Sequence, residues 1–199
     1  MVGSLVNTVG TSTKRSDILQ NKQANLIAQA IKSGEIASGQ GLNQKTSLKR
    51  YGDTRWGSHY GMLISVLTIF SFIVEVLEMN VDDGTCSEQR CEANNLLVSI
   101  SSFDFVISLH LMRNILRATH ELSKALQRKD QDIVNAMSLV KECKTRLQLI
   151  WDNEWNSLLQ EVSLFSQEHN IDILNMDDIY KAQGRPCWRA QEVTNAHQY

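Results

Sequence analysis

Apolar residues recur every three or four positions along most of this chain, which is the period of an α-helix. The series from Trp56 to Met79 has two adjacent apolar rows, and such a wide apolar face is typical of a helix that is buried on several sides. We therefore expect one helix over this range, at the centre of a bundle. A shorter amphipathic helix is predicted from Ser16 to Gly34.

A third apolar series runs from Ala93 to Ala125 and is long enough for one helix or for two in line. Ser101 and Asp104 have the spacing of a capping box, in which a serine and an acidic residue three positions later satisfy the first amides of a helix. This spacing predicts a break or kink near Ser102.

A fourth apolar series runs from Ile133 to Phe165, and its period does not slip at residues 152–154. The series therefore predicts one long helix that ends at about Glu168. A short turn at residues 128–130 favours antiparallel packing of this helix on its predecessor.

The composition agrees with an all-α chain. Of the 199 residues 42% are hydrophobic and one is proline, and the apolar runs lack the β-branched alternation of strands. We predict an antiparallel helical bundle organised in two segments. Residues 1–52 form a helical linker, and residues 53–199 form the bundle, with an irregular tail from about residue 170.

Charge is unevenly distributed along the chain, although the formal net charge is only −2. Residues 1–60 carry eight Lys or Arg against three Asp or Glu, a net of +5, so the remainder carries −7. A basic segment followed by an acidic bundle is compatible with an anionic partner at one end of the molecule, although a charge of this size is more often a solvated surface.

The four cysteines indicate a reducing compartment. They form no Cys-x-x-Cys pair, so no metal site is expected and all four are interpreted as free thiols. The N-terminal residues lack the basic leader of a signal peptide, which predicts an intracellular protein. Glu75 and Glu78 end an uncharged run well before the roughly 20 residues that a membrane span needs, so no membrane partner is expected.

The motif GDTRWGSHYG lies where a polar segment enters the predicted central helix. Arg55 can hold a phosphate and Trp56 can stack on an unpaired base, which suits recognition of distorted or single-stranded DNA. Lys45, Lys49 and Arg50 add positive charge close to them in sequence. The competing interpretation is structural, because the helical register also places the indole at the start of the core.

No catalytic constellation is visible in the sequence. The five histidines are scattered, and there is no H-E-x-x-H zinc motif, no G-x-S-x-G nucleophile elbow and no glycine loop for phosphate. Each histidine is therefore interpreted as structural or exposed. The chain is expected not to be an enzyme and to have no cofactor of its own.

Four motifs follow one another along the chain: TSTKRSDIL, GDTRWGSHYGMLIS, SFDFVISLHLMRNIL and LQRKDQDIVNAMSLV. Together they resemble plant members of the hAT transposase superfamily, of the zinc-finger MYM-like or TTF-type kind. In that superfamily a long helical insertion domain splits an RNase H-like core that holds two Asp and one Glu. An Arg–Trp pair follows the second Asp, and Arg55 and Trp56 match it.

The resemblance implies a role in DNA strand transfer, because the family tryptophan is associated with stabilising a flipped base near a two-metal carboxylate site. The catalytic Asp and Glu motifs, the zinc finger and the C-terminal dimerisation region have no counterpart in these 199 residues. The chain is therefore expected to be an internal, catalytically incomplete fragment of a nuclear protein. Any magnesium would belong to the missing core.

Two functions stay open at this point. On the first, Arg55, Trp56, Lys45, Lys49 and Arg50 position DNA and stabilise a hairpin. On the second, the chain is a domesticated helical module that binds a protein partner and does not contact DNA. The Trp56 side chain separates the two, because an exposed indole supports DNA binding and a buried one supports a scaffold.

Overall fold

A computed structural model of the chain describes Gly3, Leu5, residues 56–83, 86–129 and 131–178, and Thr194 and Asn195. Within this part six α-helices pack together and no strand occurs, which confirms the all-α prediction. The helices are α1 (Trp56–Thr68), α2 (Phe70–Asp83), α3 (Ser87–Ile100), α4 (Phe103–Leu126), α5 (Ile133–Asn153) and α6 (Trp155–Glu168). The predicted helix from Ser16 to Gly34 lies outside the described residues.

The prediction of one helix from Trp56 to Met79 is wrong, because α1 and α2 divide this range and are bent by 75° relative to each other. The bend lets two halves of one apolar series pack on different neighbours. α1 packs against α4, whereas α2 packs against α3. A straight helix of this length would direct both halves along one line and leave part of its wide apolar surface in water.

Two hydroxyl groups donate hydrogen bonds to backbone carbonyls close to the bend between α1 and α2, although the same kind of bond at Thr145 does not interrupt α5. Ser65 Oγ donates a hydrogen bond to the Gly61 carbonyl, and Thr68 Oγ1 donates one to the Ile64 carbonyl, both at 2.8 Å. Hydrogen bonds from Ser or Thr to the carbonyl four residues earlier tilt that carbonyl and favour helix bending. The sequence contains these residues, but the amphipathic period runs through them without interruption.

The two apolar rows of α1 and α2 form the centre of the core, as predicted. Ile73 and Leu77 are fully buried there, together with Ile100 at the end of α3 and Val106 in α4. Leu5 is also fully buried in this core, although it belongs to the segment that was predicted to be a linker.

The predicted break in the third apolar series is confirmed, because α3 ends at Ile100 and α4 begins at Phe103 with a bend of 69°. The predicted capping residue was wrong by one position. Ser102, not Ser101, is the N-cap, and its Oγ accepts a hydrogen bond from the Phe105 amide at 3.3 Å. Ser102 Oγ also donates to a carbonyl in the last turn of α3 at 2.7 Å, so one side chain joins both helix ends.

The prediction of one continuous helix to Glu168 is also wrong, because α5 ends at Asn153 and α6 begins at Trp155. Asp and Asn, the last two residues of α5, have low helix propensity. The two helices also differ in burial. α6 buries Leu158 and Val162, whereas α5 has no buried residue. The interruption therefore separates a helix that packs into the core from one that lies against its outside.

The predicted antiparallel packing of α5 on α4 is confirmed. Leu126, at the end of α4, lies beside Ile133 at the start of α5. Arg117, earlier in α4, lies beside Arg146 and Ile150 in the second half of α5. The contacts thus move toward the start of α4 as α5 proceeds.

α6 ends in a Schellman motif. Asn170 adopts a positive φ of 54°, its amide donates to the Gln167 carbonyl at 3.3 Å, and the Ile171 amide donates to the Ser166 carbonyl at 2.8 Å. Ile171 is buried in the core, which anchors the chain where it leaves the helix. The described residues that follow, 172–178, contain turns and no helix.

No single helix in the described part of the chain is both long and apolar enough to cross a membrane. Two bent pairs, α1 with α2 and α3 with α4, reach that length and composition together.

Candidate functional site

Most of the predicted DNA-binding residues lie outside the described residues, namely Lys45, Lys49, Arg50 and Arg55. Trp56 is described as the first residue of α1. Trp56 therefore stands at the N-terminal end of a helix, and Arg55 precedes it in the sequence. The structure does not describe the Trp56 side chain, whose exposure separates the two predicted functions.

The surface of α5 is unusual within the described structure. This helix has 21 residues and none of them is buried, whereas α4 buries side chains along most of its length. Ile133, Val134 and Met137 are 78%, 77% and 71% exposed. Isolated apolar side chains are common on protein surfaces, but adjacent ones form a patch that is typical of an interaction site.

An open apolar groove lies beside this patch, at the tip of the hairpin that α4 and α5 form. It has a volume of about 340 Å³. Its walls are the side chains of Leu126 at the end of α4 and of Ile133, Ala136, Met137 and Val140 in the first half of α5. We call this feature the tip groove. A groove of this shape and polarity accepts the apolar face of a helix.

A second pocket, of about 160 Å³, lies between α4, α5 and α6 and contains three arginines, Arg113, Arg117 and Arg146. All three are paired within the chain. Arg113 contacts Glu161, and both Arg117 and Arg146 contact Glu121 at 3.5 Å. With Glu154, which also lines the pocket, these two glutamates balance the formal charge of the three arginines, so the pocket is an ion-pair network that joins three helices. It does not offer a free anion site.

His110 is buried next to this network and is 4% exposed. Its Nδ1 lies 3.8 Å from Glu161 Oε2, which is too long for a hydrogen bond, and neither ring nitrogen has a hydrogen-bond partner in the described part of the chain. Burial, followed by the positive charge of Arg113, lowers the pKa of His110, while Glu161 acts in the opposite direction. The fold therefore favours the neutral form of the imidazole.

Phe165 connects His110 to a second histidine. The Phe165 ring packs edge to face on the His110 ring, with 5.1 Å between the ring centres. The centre of the His169 ring lies 4.3 Å from that of Phe165, and Phe70 contacts both Phe165 and His169. Burial lowers the pKa of His169, and the neighbouring Glu168 opposes this shift. The four rings form a packed aromatic cluster, which supports the structural interpretation of both histidines.

Within the described residues no group of three or more His, Cys, Asp or Glu is placed to hold a metal ion. Cys86, Cys91 and Cys143 are free thiols, as predicted for these three. Cys187 lies outside the described part of the chain.

Comparison with known proteins adds no family to this geometry. No family model matches the chain, and no solved structure matches it. The resemblance to hAT transposases therefore stays a prediction from the sequence.

The tip groove is not evident from the helical period, although the residues that form it are apolar in the sequence. α5 carries two apolar stripes, and both were included in one series because they lie side by side on the helix. One stripe contains Ala136, Leu139, Cys143 and Ile150, which are all partly buried. The other contains the exposed residues Ile133, Met137 and Val140. An amphipathic period alone does not show which of two adjacent stripes contacts the rest of the fold.

Proposed function

We propose that the chain is a helical protein-interaction module and that the tip groove is its docking surface. The observation that carries this proposal is the exposure of Ile133 and Met137, which line an apolar groove at the end of a helix hairpin. Burying such a side chain completely contributes about 1.5–3 kcal/mol. Two or three of them at the centre of an interface are enough to make it a binding hot spot.

Site-specific photo-cross-linking tests this proposal. A photoreactive amino acid replaces Met137 in the groove, and a matched variant carries it at Glu142, which is exposed on another face of α5. In cells that express the full chain, we expect one discrete cross-linked species from the position 137 variant and none from the position 142 variant. Equal labelling from both positions, or none from either, would contradict a docking role for the groove.

The second candidate is DNA positioning, as in the helical insertion domain that the sequence resembles. It is supported by the start of α1 at Trp56. Free amides and the positive end of the helix dipole at such a point favour a phosphate, and Arg55 would add a fixed positive charge. On this proposal the chain is nuclear, positions DNA near the Arg55–Trp56 pair and does not cut it.

Fluorescence anisotropy with matched hairpin and duplex probes at two salt concentrations tests the second candidate. Up to about four phosphate contacts would give a modest salt dependence, and one stacked base would add about 1–3 kcal/mol. Trp56→Ala should abolish the preference for the hairpin, and Arg55→Ala should weaken binding to both probes. Trp151→Ala removes a 76% exposed tryptophan from α5 and is the matched control. Equal loss in both tryptophan variants would reject a specific role for Trp56.

A further inference from the structure

The segment that forms the tip groove is basic, although most of the chain around it is acidic. Residues 122–144 extend one helical turn beyond Leu126 and Val140, the first and last residues of the groove. They carry five Lys or Arg and three Asp or Glu, a net of +2, whereas the rest of residues 61–199 carries seven and sixteen, a net of −9. The next charged residues on either side, Glu121 and Arg146, pair with each other. We call residues 122–144 the basic tip.

Two lysines of the basic tip lie on the same face of α5 as the walls of the groove. Lys141 follows Met137 by four positions, and Lys144 follows Val140 by four, so each lysine is one turn away from an apolar residue of the groove. Both lysines are exposed, and neither has an ion-pair partner among the described residues. Their charges are therefore available to a molecule that lies in the groove.

Two of the three carboxylates of the basic tip are directed elsewhere. Asp132 caps α5, because its Oδ1 accepts the Asn135 amide at 2.7 Å and its Oδ2 accepts Asn135 Nδ2 at 3.1 Å, and the positive end of the helix dipole offsets its charge. Glu142 follows Met137 by five positions, which places it about 140° around the helix. Asp130, the third, lies outside the described residues. The charge that the described structure presents along the groove is therefore positive.

The form of the groove indicates the backbone conformation of its partner. From Ile133 to Val140 the α5 wall rises about 10 Å, which is two turns of helix. The walls are aliphatic and have no aromatic ring on which a polyproline segment would pack. The described part of the chain also has no strand whose edge would accept an extended peptide. An amphipathic helix with apolar side chains at positions i, i+4 and i+7 fits this length and polarity.

We propose that the tip groove binds an acidic amphipathic helix of a partner protein. The apolar side chains of that helix pack between Leu126 and Met137, and its flanking carboxylates pair with Lys141 and Lys144. This inference rests on the proposed docking function of the tip groove and names the chemistry of the partner. A single helix in a groove buries less than a standard interface of about 800 Å² per partner, so we expect a dissociation constant on the order of micromolar.

Fluorescence anisotropy of the full chain with three labelled peptides tests the proposal. Each peptide has about 16 residues in an alanine-rich background, which is long enough for a helix. The acidic peptide has leucine at i, i+4 and i+7 with glutamate on either side of this stripe. The basic peptide has lysine in place of each glutamate, and the third peptide has serine in place of each leucine. The acidic peptide should bind at least tenfold more tightly than either of the others.

Charge reversal in the protein should reverse this preference. In the double variant Lys141→Glu and Lys144→Glu the edge of the groove is acidic, so the basic peptide should bind more tightly than the acidic one. Arg90→Glu reverses an exposed charge on α3 and is the control, which should keep the wild-type preference. All of these positions are exposed, and circular dichroism establishes that the variants keep their helix content.

The apolar walls are tested separately from the charges. Met137→Ser should weaken binding of the acidic peptide at least tenfold, because the leucine side chains lose their main contact. Val98→Ser, at a 63% exposed valine of α3, makes a similar change away from the groove and should leave binding unchanged.

Equal binding of the acidic and basic peptides, equal binding of the serine peptide, or a preference that the lysine reversal does not change would each overturn the proposal. Co-flotation of the chain with vesicles of anionic phospholipid, without binding of the acidic peptide, would assign this surface to a membrane instead. If no peptide binds but position 137 still cross-links to one protein in cells, the docking function stands and only the acidic helix is rejected.

Discussion

His110 and Glu161 face each other between α4 and α6, with Nδ1 of the imidazole 3.8 Å from Oε2 of the carboxylate. The same carboxylate oxygen contacts Arg113, one turn further along α4. The imidazole is buried, while the carboxylate is about half exposed. Where the core meets the polar pocket, the fold therefore favours the neutral form of this histidine beside an arginine and a glutamate.

Acidification should destabilise the fold through His110 and His169. The fold lowers the pKa of both groups, so the unfolded chain, with histidine pKa values of about 6.5, binds protons more readily than the native state does. The stability that these two neutral histidines contribute is therefore present above pH 6.5. It is lost as the pH falls from the histidine pKa of the unfolded chain to the lower pKa values of the native state. Urea unfolding at a series of pH values measures this loss.

The variants His110→Phe and His169→Phe assign the pH dependence to these residues. Phenylalanine keeps an aromatic ring beside Phe165 but does not titrate, so each variant should flatten the pH dependence and the double variant should flatten it further. An unchanged dependence in the folded double variant would place its origin in other groups.

The Arg113–Glu161 ion pair should contribute little to stability. The side chains of Arg113 and Glu161 are 24% and 48% exposed, and solvent screens a pair of this kind. A double-mutant cycle with Arg113→Met and Glu161→Gln is expected to give a coupling energy of about 0.2–1 kcal/mol. A coupling of about 3 kcal/mol or more would show that the pair is desolvated in solution.

Ser102 should stabilise the start of α4. Its Oγ accepts the Phe105 amide, so Ser102→Ala is expected to lower the free energy of unfolding by about 1 kcal/mol. Ser101→Ala is the matched control, because Ser101 is exposed and lies one residue before the cap. A change of about 0.5 kcal/mol or less is expected there. A larger loss at Ser101 than at Ser102 would restore the capping residue that the sequence pattern predicted.

Two valine-to-alanine substitutions compare a core position with a surface position. Val66 is fully buried in α1 and Val98 is 63% exposed in α3. Val66→Ala should cost about 2 kcal/mol, from lost burial and the cavity left behind, and Val98→Ala should change stability by less than about 0.5 kcal/mol. Thermal and urea unfolding measure both. Equal effects would contradict the burial of α1 in the core.

The three helix breaks show why some boundaries are predictable from sequence and others are not. The break before α4 has a local signal, since a capping serine and a nearby acid lie within a few residues of each other. The breaks after Thr68 and at Glu154 have no interruption of the apolar period. They depend on which neighbours the flanking helices pack against, and those neighbours are distant in sequence.

The candidate sites differ in the same way. The Arg55–Trp56 pair is visible in the sequence because its two chemical groups are adjacent. The grouping of His110, Arg113 and Glu161 is not visible there, because it requires α6 to lie beside α4. The tip groove requires α4 to end beside the first turn of α5, so that Leu126 meets Ile133 and Met137.

The sequence by itself determined that the described part of this protein is helical and that the region around α1 and α2 supplies its core. The reason is that helical period and apolar content are properties of neighbouring residues. Only the tertiary structure decided where the long apolar series bend and which stripe of α5 faces α4. Both outcomes depend on the burial of apolar surface against residues far away along the chain, as in the contact of Cys143 with Ala118.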